Sequence, residues 1–104
     1  MSEESRIFVS LGANLDEPAA QLKEAVKRLK KVPGLHFHGI SSFYLTEPVG
    51  PVEQPQFFNA VAEWRTRLSP MEILASILQV EEEMGRKRTV RWGPRRIDID
   101  LLLY

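Results

Sequence analysis

The chain has 104 residues, of which 43% are hydrophobic and 27% charged, and its formal net charge at pH 7 is zero. This length suits a single domain over 1–104 with a modest core, and a neutral chain has no overall electrostatic attraction to nucleic acid or to an anionic membrane. Because there is no cysteine, disulfides, thiolate metal sites and a cysteine nucleophile are excluded.

The beginning of the chain predicts a flexible tail, a strand and a helix. The tail at 1–5 is polar and acidic, unlike a signal peptide, and the apolar runs of the chain are too short to span a bilayer. We therefore expect a cytoplasmic protein without a membrane partner. The strand "RIFVSLG" is expected to end at Gly12. The next helix is expected to have Asp16 as its N-cap and Pro18 in its first turn.

The middle of the chain predicts two strands separated by a stiff loop. The segment "LHFHGISSFYL" is typical of a strand, with a bulge or kink at Gly39. The loop at 46–56 contains three prolines and one glycine and cannot form regular structure. The segment "FFNAVAEWRT" predicts the third strand. His36 and His38 have no evident third metal ligand, so we expect them to face solvent.

The segment "LSPMEILASILQVEEEMG" predicts a second helix. Ser69 is expected to cap it, with Pro70 at its first position and Glu72 completing a capping box. Glu81 is expected at the margin of the buried face, where a carboxylate needs a partner. The residues expected to be buried are Leu74, Ile77, Leu78 and Met84.

The final segment "RIDIDLLLY" predicts a fourth strand, which gives the order β-α-β-β-α-β. This order is that of an α+β, ferredoxin-like sandwich, in which two helices pack on one face of an antiparallel four-stranded sheet. Such a fold hosts many unrelated functions, so the function has to be inferred from the sites.

Two aspartates lie on the same face of the predicted fourth strand. Because side chains alternate along a strand, Asp98 and Asp100 are expected to face away from the core. Carboxylates at this spacing can hold Mg²⁺ together with substrate phosphates, and two such ions can share them. Solvated aspartates on a half-exposed strand are the alternative, and an isolated D-x-D favours it. The residues expected to face the core are Ile97, Ile99, Leu101 and Leu103.

A basic segment immediately precedes the aspartates. Five of its six cations are arginines, which suit bidentate binding of phosphate. Arginines beside Mg²⁺-binding carboxylates are typical of phosphoryl transfer. Trp92 could cover a flat ring or could anchor the loop, and charge balancing on a solvated surface is the alternative for the whole cluster. The cations are Arg86, Lys87, Arg88, Arg91, Arg95 and Arg96.

The stiff loop and the third strand offer a second candidate site. An amide at Asn59 and an aromatic ring at Phe57 would lie near backbone groups of Glu47, Val49 and Gly50. Such groups can bind a flat heterocycle by hydrogen bonding and stacking. The stronger alternative is structural, with Phe57 in the core and Asn59 capping the loop.

Four segments, "SLGANL", "SSFYLTEPVGPVEQPQFFNAV", "EEEMGRKR" and "RWGPRRIDIDLLL", resemble 6-hydroxymethyl-7,8-dihydropterin pyrophosphokinase, an enzyme of folate biosynthesis. The resemblance extends from about Arg6 to Tyr104. It implies a ferredoxin-like core and transfer of pyrophosphate from MgATP to the pterin hydroxymethyl group, giving AMP. The implied substrates are ATP and 6-hydroxymethyl-7,8-dihydropterin, the implied cofactor is a pair of Mg²⁺ ions, and no nucleic-acid partner is implied.

The resemblance also implies roles for individual residues. Asp98 and Asp100 would hold the metal ions and, with Arg86 and Arg95, form the catalytic set. The implied ATP-binding residues are Glu81, Arg86, Arg88, Arg91, Trp92 and Arg95. The implied pterin-binding residues are Thr46, Glu47, Val49, Gly50, Phe57 and Asn59.

The sequence departs from the family pattern in three places, one of which is the segment between Gly85 and Trp92, expected to be shorter than in some family members. Leu78 stands where a glutamine is expected, and the family's further C-terminal segment, with His, Tyr and Arg residues at the nucleotide, does not follow Tyr104. We therefore expect part of the nucleotide site to be missing. The alternatives to the enzyme are a catalytically impaired homologue that binds pterin or nucleotide, and a ferredoxin-like nucleic-acid-binding module, which the lack of an RNP1-type pattern disfavours.

Overall fold

The structure, a computed structural model, describes residues 4–14, 17–47, 56–85 and 97–103. These residues form five strands and two helices. In chain order the elements are β1 (Ser5–Ala13), α1 (Pro18–Lys30), β2 (Leu35–Ile40), β3 (Tyr44–Thr46), β4 (Phe57–Thr66), α2 (Pro70–Glu83) and β5 (Asp98–Leu103). Within the described part of the chain, neither helix is long and apolar enough to cross a membrane.

The strands form one antiparallel sheet with the order β2-β4-β1-β5, and β3 also pairs with β4. This order, with two helices, confirms the predicted α+β, ferredoxin-like architecture. The sheet has five strands rather than the predicted four. β1 begins at Ser5 and runs through Gly12 to Ala13, so the prediction that Gly12 ends the strand is wrong. Pairing with β4 on one side and β5 on the other holds Gly12 in the centre of the sheet.

The predicted second strand is divided into β2 and β3, which lie one after the other along β4. The register shifts between Phe37 and Gly39, which confirms the predicted bulge. At the break, the Ser41 N–H donates to the Val61 carbonyl at 2.9 Å and the Val61 N–H donates to Ser41 Oγ at 2.9 Å. The serine hydroxyl thus replaces a backbone acceptor, and the edge of the sheet remains hydrogen-bonded while the strand is interrupted.

The hydrophobic core lies between the sheet and the two helices. It takes alternate residues from β1 and β4, which places both helices on the same face of the sheet. Trp64 is fully buried and packs edge-on against Phe37, with ring centroids 5.2 Å apart. Across the helices, the Arg28 guanidinium is 2.7 Å from a Glu24 carboxylate oxygen and 3.1 Å from one of Glu83.

The two helices begin differently. In α2 the predicted capping box of Ser69 and Glu72 is confirmed. In α1 the N-cap is Glu17 rather than the predicted Asp16, which lies outside the described residues. Glu17 has a left-handed backbone conformation (φ 57°) and no side-chain cap, but its carbonyl accepts the first helical hydrogen bond from Gln21 at 3.1 Å. The expected Pro18 in the first turn is confirmed.

The buried face of α2 is rotated from the predicted one. Leu74 and Leu78 are 42% and 59% exposed, so the prediction that they are buried is wrong. The helix carries two overlapping apolar stripes, and packing against α1 and β5 selects one of them. The buried residues are Ile73, Ile77, Val80, Glu81 and the C-cap Met84.

Candidate functional site

The face of the sheet that points away from the helices, the open face, carries the candidate site. On β4 the residues that alternate with the buried Ala60 and Ala62 are partly exposed, and they include Phe57 and Asn59. On β1 and β5 the same alternation directs Gly12 and Asp98 to this face, because their neighbours are core residues. The open face therefore brings together residues from three adjacent strands.

The two aspartates lie where the strand period predicts. Ile97 and Ile99 are buried, Asp98 is half-buried and Asp100 is exposed. This confirms that the carboxylates share one face and that the isoleucines face the core. The expectation for Leu101 is also confirmed, because it packs against the core, whereas the Leu103 side chain lies outside the described residues. Asp98 pairs with Gly12 and Asp100 with Ser10 on β1.

Glu81 joins helix α2 to the aspartate strand. Its side chain is buried, with 3% of its surface exposed, and its Oε2 accepts a hydrogen bond from the Ile99 N–H at 2.9 Å. Ile99 lies between Asp98 and Asp100. A backbone amide of β5 is thus a partner of this buried carboxylate. Glu81 is more deeply buried than predicted, because it was expected at the margin of the buried face of the helix. Its contact with a nucleotide stays a prediction.

The Asn59 amide joins the end of β3 to β4. Its Nδ2 lies 2.7 Å from Thr46 Oγ1, 3.1 Å from the Phe57 carbonyl oxygen and 3.5 Å from the Tyr44 carbonyl oxygen. Carbonyl oxygens only accept hydrogen bonds, so the nitrogen has to occupy this position and Oδ1 the opposite one. Asn59 therefore caps the loop, as the structural alternative predicts, because its Nδ2 donates a hydrogen bond to Thr46 at the start of the proline-rich loop. Its Oδ1 makes no part of this cap and lies over Gly12 of β1.

Phe57 lies on the open face beside Asn59. It is half-buried but does not belong to the hydrophobic core, so the expectation of a core phenylalanine is wrong. The adjacent Phe58 packs against that core instead. Glu47 is exposed and accepts a hydrogen bond from Gln56 Nε2 at 2.5 Å, which connects the two ends of the loop.

Gly12 is the residue of the site that the sequence analysis missed. It pairs with Asn59 on β4 and with Asp98 on β5, so the amide and one carboxylate flank it on either side. It is buried although it faces away from the core. A glycine inside a strand often marks a close approach by another group, and that signal could have indicated its place in the site.

Several predicted site residues lie outside the described residues, and their roles stay predictions. In the rest of the chain, Thr46, Phe57 and Asn59 lie together at one side of Gly12, and Asp98 and Asp100 lie at the other. His36 and His38 are both exposed, as predicted, and His36 Nε2 is 3.9 Å from a Glu4 carboxylate oxygen. The residues outside the description are Val49, Gly50, Arg86, Arg88, Arg91, Trp92 and Arg95.

Among the described residues, the candidate ligands for a metal ion are Asp98 and Asp100. Residues 4–14, 17–47, 56–85 and 97–103 contain no group of three or more acidic, histidine or cysteine side chains that could hold a metal. Two carboxylates do not by themselves make a closed metal cage. They do suit Mg²⁺, which is usually bound by one or two carboxylates and completed by phosphate oxygens and water.

Two helices over one face of an antiparallel sheet define an α+β domain of the ferredoxin-like class. The model of the 7,8-dihydro-6-hydroxymethylpterin-pyrophosphokinase (HPPK) family matches residues 8–104. The chain belongs to this family.

Curated relatives carry the name 2-amino-4-hydroxy-6-hydroxymethyldihydropteridine pyrophosphokinase. The Pseudomonas aeruginosa protein is 40% identical over 99 residues, which cover 95% of this chain and 61% of the relative. The Haemophilus influenzae protein is 43% identical over 97 residues, covering 93% and 61%. The Bacillus subtilis protein is 41% identical over 97 residues, covering 93% and 58%. The chain thus spans about three fifths of the length of these relatives.

Proposed function

We propose that the chain transfers pyrophosphate from ATP to the hydroxymethyl group of 6-hydroxymethyl-7,8-dihydropterin, releasing AMP, as a step of folate biosynthesis. Family membership supports this reaction, because relatives named for it match 93–95% of the chain. One structural observation supports a specific location for the reaction. Asn59 and Asp98 pair with the same residue, Gly12, from opposite sides, so a heterocycle-binding amide and a metal-binding carboxylate flank one strand.

The dimensions of the open face suit a flat substrate between these groups. Asn59 and Asp98 are two strand spacings apart, which is about 10 Å. Asn59 Oδ1 would accept a hydrogen bond from an N–H group of the pterin, and the Phe57 ring would stack on or border its face. The hydroxymethyl group would then point towards the aspartates. Thr46, Glu47, Val49 and Gly50 complete the proposed pterin site, Thr46 through its contact with Asn59.

Asp98 and Asp100 would hold two Mg²⁺ ions together with the phosphates of ATP. When bound, Mg²⁺ neutralises phosphate charge and polarises oxygen atoms at the reacting centre. By holding the ions, the two carboxylates would place the triphosphate beside β5, and Glu81 accepts a hydrogen bond from the Ile99 N–H of that strand. The hydroxymethyl oxygen forms a bond to the β-phosphorus, the bond from this phosphorus to the α–β bridging oxygen breaks, and AMP leaves while the hydroxyl proton passes to solvent.

The arginines supply the remaining positive charge in this proposal. Arg86 and Arg95 would bind the phosphates that carry the developing charge, and Arg88 and Arg91 would extend this site along the nucleotide. Trp92, in the proposed ATP site, would cover the face of a flat ring of the bound substrate. Electrostatic stabilisation of a transferred phosphoryl group, together with alignment of the two substrates, accounts for most of the rate in such reactions.

The family assignment favours this reaction over a nucleic-acid-binding module. The formal net charge of zero supports the prediction that neither nucleic acid nor a membrane is a partner. A cytoplasmic location stays part of the proposal, supported by the cysteine-free composition.

The experiment that tests the reaction is an incubation of the chain with MgATP and 6-hydroxymethyl-7,8-dihydropterin, followed by separation of the nucleotides. AMP formed in a one-to-one ratio with pyrophosphorylated pterin is the expected result. Formation of ADP would contradict pyrophosphate transfer. Calorimetric binding of both substrates without AMP would instead support the alternative of an impaired homologue that binds its ligands.

A further inference from the structure

Gly12 lies on the open face, yet it is buried, and two side chains of the proposed pterin site cover it. A Cβ atom at this position would lie 2.8 Å from Asn59 Oδ1 and 3.7 Å from Phe57 Cδ1. The second distance is an ordinary van der Waals contact, whereas the first is shorter than a carbon and an oxygen tolerate. The contact with Asn59 therefore depends on the absence of a side chain at Gly12.

The Asn59 amide has little freedom to move away from such a Cβ. Asparagine has a short side chain, and its Nδ2 is held by Thr46 Oγ1 at 2.7 Å and by the Phe57 carbonyl oxygen at 3.1 Å. Rotation that carried Oδ1 off Gly12 would also carry Nδ2 off these acceptors. A methyl group at Gly12 would therefore displace the amide and release the link to Thr46, from which the proline-rich loop starts.

We propose that Gly12 is a positioning residue for the heterocycle site, because its missing side chain lets the Asn59 amide lie across β1 with Oδ1 as a fixed acceptor. The identity of the heterocycle as a dihydropterin rests on the proposed function, whereas the contact between Gly12 and Asn59 does not. Gly12 itself makes no side-chain contact with a substrate. It acts through Asn59, and its substitution should change pterin binding more than nucleotide binding.

The variant Gly12→Ala tests this proposal, and Gly39→Ala is its matched control. Neither glycine has a positive φ, so alanine fits the backbone at both positions. A Cβ at Gly39 would have no atom within 4 Å. Both substitutions lower the entropy of the unfolded chain in the same way, so that effect cancels between them. Calorimetry with 6-hydroxymethyl-7,8-dihydropterin, and separately with the magnesium complex of α,β-methylene-ATP, gives the two affinities.

We expect Gly12→Ala to weaken dihydropterin binding by about tenfold, which corresponds to the net value of about one hydrogen bond, and to leave nucleotide affinity within about twofold. Gly39→Ala should change neither affinity. The decisive comparison uses Asn59→Ala, which removes the atom that the new methyl group would meet. In that background Gly12→Ala should cause no further loss, because the two substitutions act on the same contact. An equal additional loss in the Asn59→Ala background would overturn the proposal.

Urea unfolding of the wild type, Gly12→Ala, Asn59→Ala and the double variant keeps the test independent of the ligand. Gly12→Ala should lower the unfolding midpoint in the wild-type background and not in the Asn59→Ala background. If Gly12→Ala alone does not fold, the proposal predicts that the double variant with Asn59→Ala folds, so the test still gives a result. A wild-type chain that binds no dihydropterin would refute the proposed function, and the unfolding midpoints would then decide the role of Gly12. Equal midpoint losses in both backgrounds would refute that role even if the enzyme activity is present.

Discussion

At the scale of single residues, Asp98 and Asp100 form a pair whose members differ in exposure. Asp98 is half-buried opposite Gly12, and Asp100 is exposed opposite Ser10. Two carboxylates one pleat apart repel each other, and aspartate is a poor strand former. We therefore expect positive charge beside them, and in the proposed reaction bound Mg²⁺ would add to that charge.

We predict that Asp98→Asn and Asp100→Asn each lower the rate of AMP formation by about a hundredfold or more, because each removes a charge that holds the metal–triphosphate complex. The control is Glu63→Gln, which removes one negative charge from the same face. Glu63 pairs with Arg6 at 2.9 Å and has no place in the proposed site. Rates are measured by nucleotide chromatography, with urea unfolding to verify the fold. Asparagine variants with wild-type rates would exclude the metal role.

The position of Glu81 indicates a structural role in addition to the nucleotide contact predicted for it. Its carboxylate accepts the Ile99 N–H inside the protein, between the two aspartates. We predict that Glu81→Leu lowers the free energy of unfolding by about 1–3 kcal/mol, because it leaves a buried N–H without its acceptor. Glu81→Gln retains an oxygen at the same place and should lower it less. Hydrogen exchange at the Ile99 amide should accelerate in the leucine variant, and unchanged protection there would contradict this role.

At the scale of elements, the start of α2 contains the clearest pH-sensitive contact. The Ser69 N–H donates to Glu72 Oε1 at 2.9 Å, and the Glu72 N–H donates to Ser69 Oγ at 3.2 Å. The pKa of Glu72 is lowered below its ordinary value of 4.5, mainly by the hydrogen bond that its carboxylate accepts from the Ser69 backbone and secondly by a hydrogen bond with the Ser69 side chain. The folded state therefore favours the ionised carboxylate, and its contribution is present above pH 4.5 and lost as pH falls through the lower, folded-state pKa.

We predict that Glu72→Gln makes the free energy of unfolding less dependent on pH between about pH 6 and about pH 3. The wild-type chain should lose stability over this range, and the variant should lose less, because glutamine does not titrate. Urea unfolding at several pH values measures both slopes. Glu82→Gln provides the control, since it removes a carboxylate from the other end of the same helix. A variant slope equal to that of wild type would show that the capping box is not the pH-sensitive contact.

The elements also show which parts of the fold local rules predict. The capping box at Ser69 and the facing of Asp98 depend on neighbours within a few residues, and both were predictable. The burial of Leu74 was not, because α2 has apolar residues on two adjacent stripes and only contact with α1 and β5 selects one. The break after Ile40 depends on the Ser41 hydroxyl meeting Val61 of another strand. The contact between Gly12 and Asn59 likewise exists only after β1 and β4 pair.

At the scale of the whole molecule, the hydrophobic core and the proposed binding site lie on opposite faces of the sheet. The core is formed by apolar side chains between the sheet and the helices. The open face carries the aspartates, the Asn59 amide and the Phe57 ring. We therefore expect the domain to fold without its ligands and the ligands to add stability when they bind.

This separation predicts how chelation affects thermal unfolding. Dihydropterin at about a hundred times its dissociation constant should raise the free energy of unfolding by about 2.7 kcal/mol, or on the order of 10 °C for a domain of this size. α,β-Methylene-ATP should stabilise the chain only when Mg²⁺ is present, because Asp98 and Asp100 repel a triphosphate without a cation between them. Excess EDTA should remove this nucleotide effect and leave the unfolding temperature of the ligand-free chain unchanged. Destabilisation of the ligand-free chain by EDTA would point to a structural metal, and equal stabilisation by the nucleotide with and without EDTA would show that the aspartates do not act through a cation.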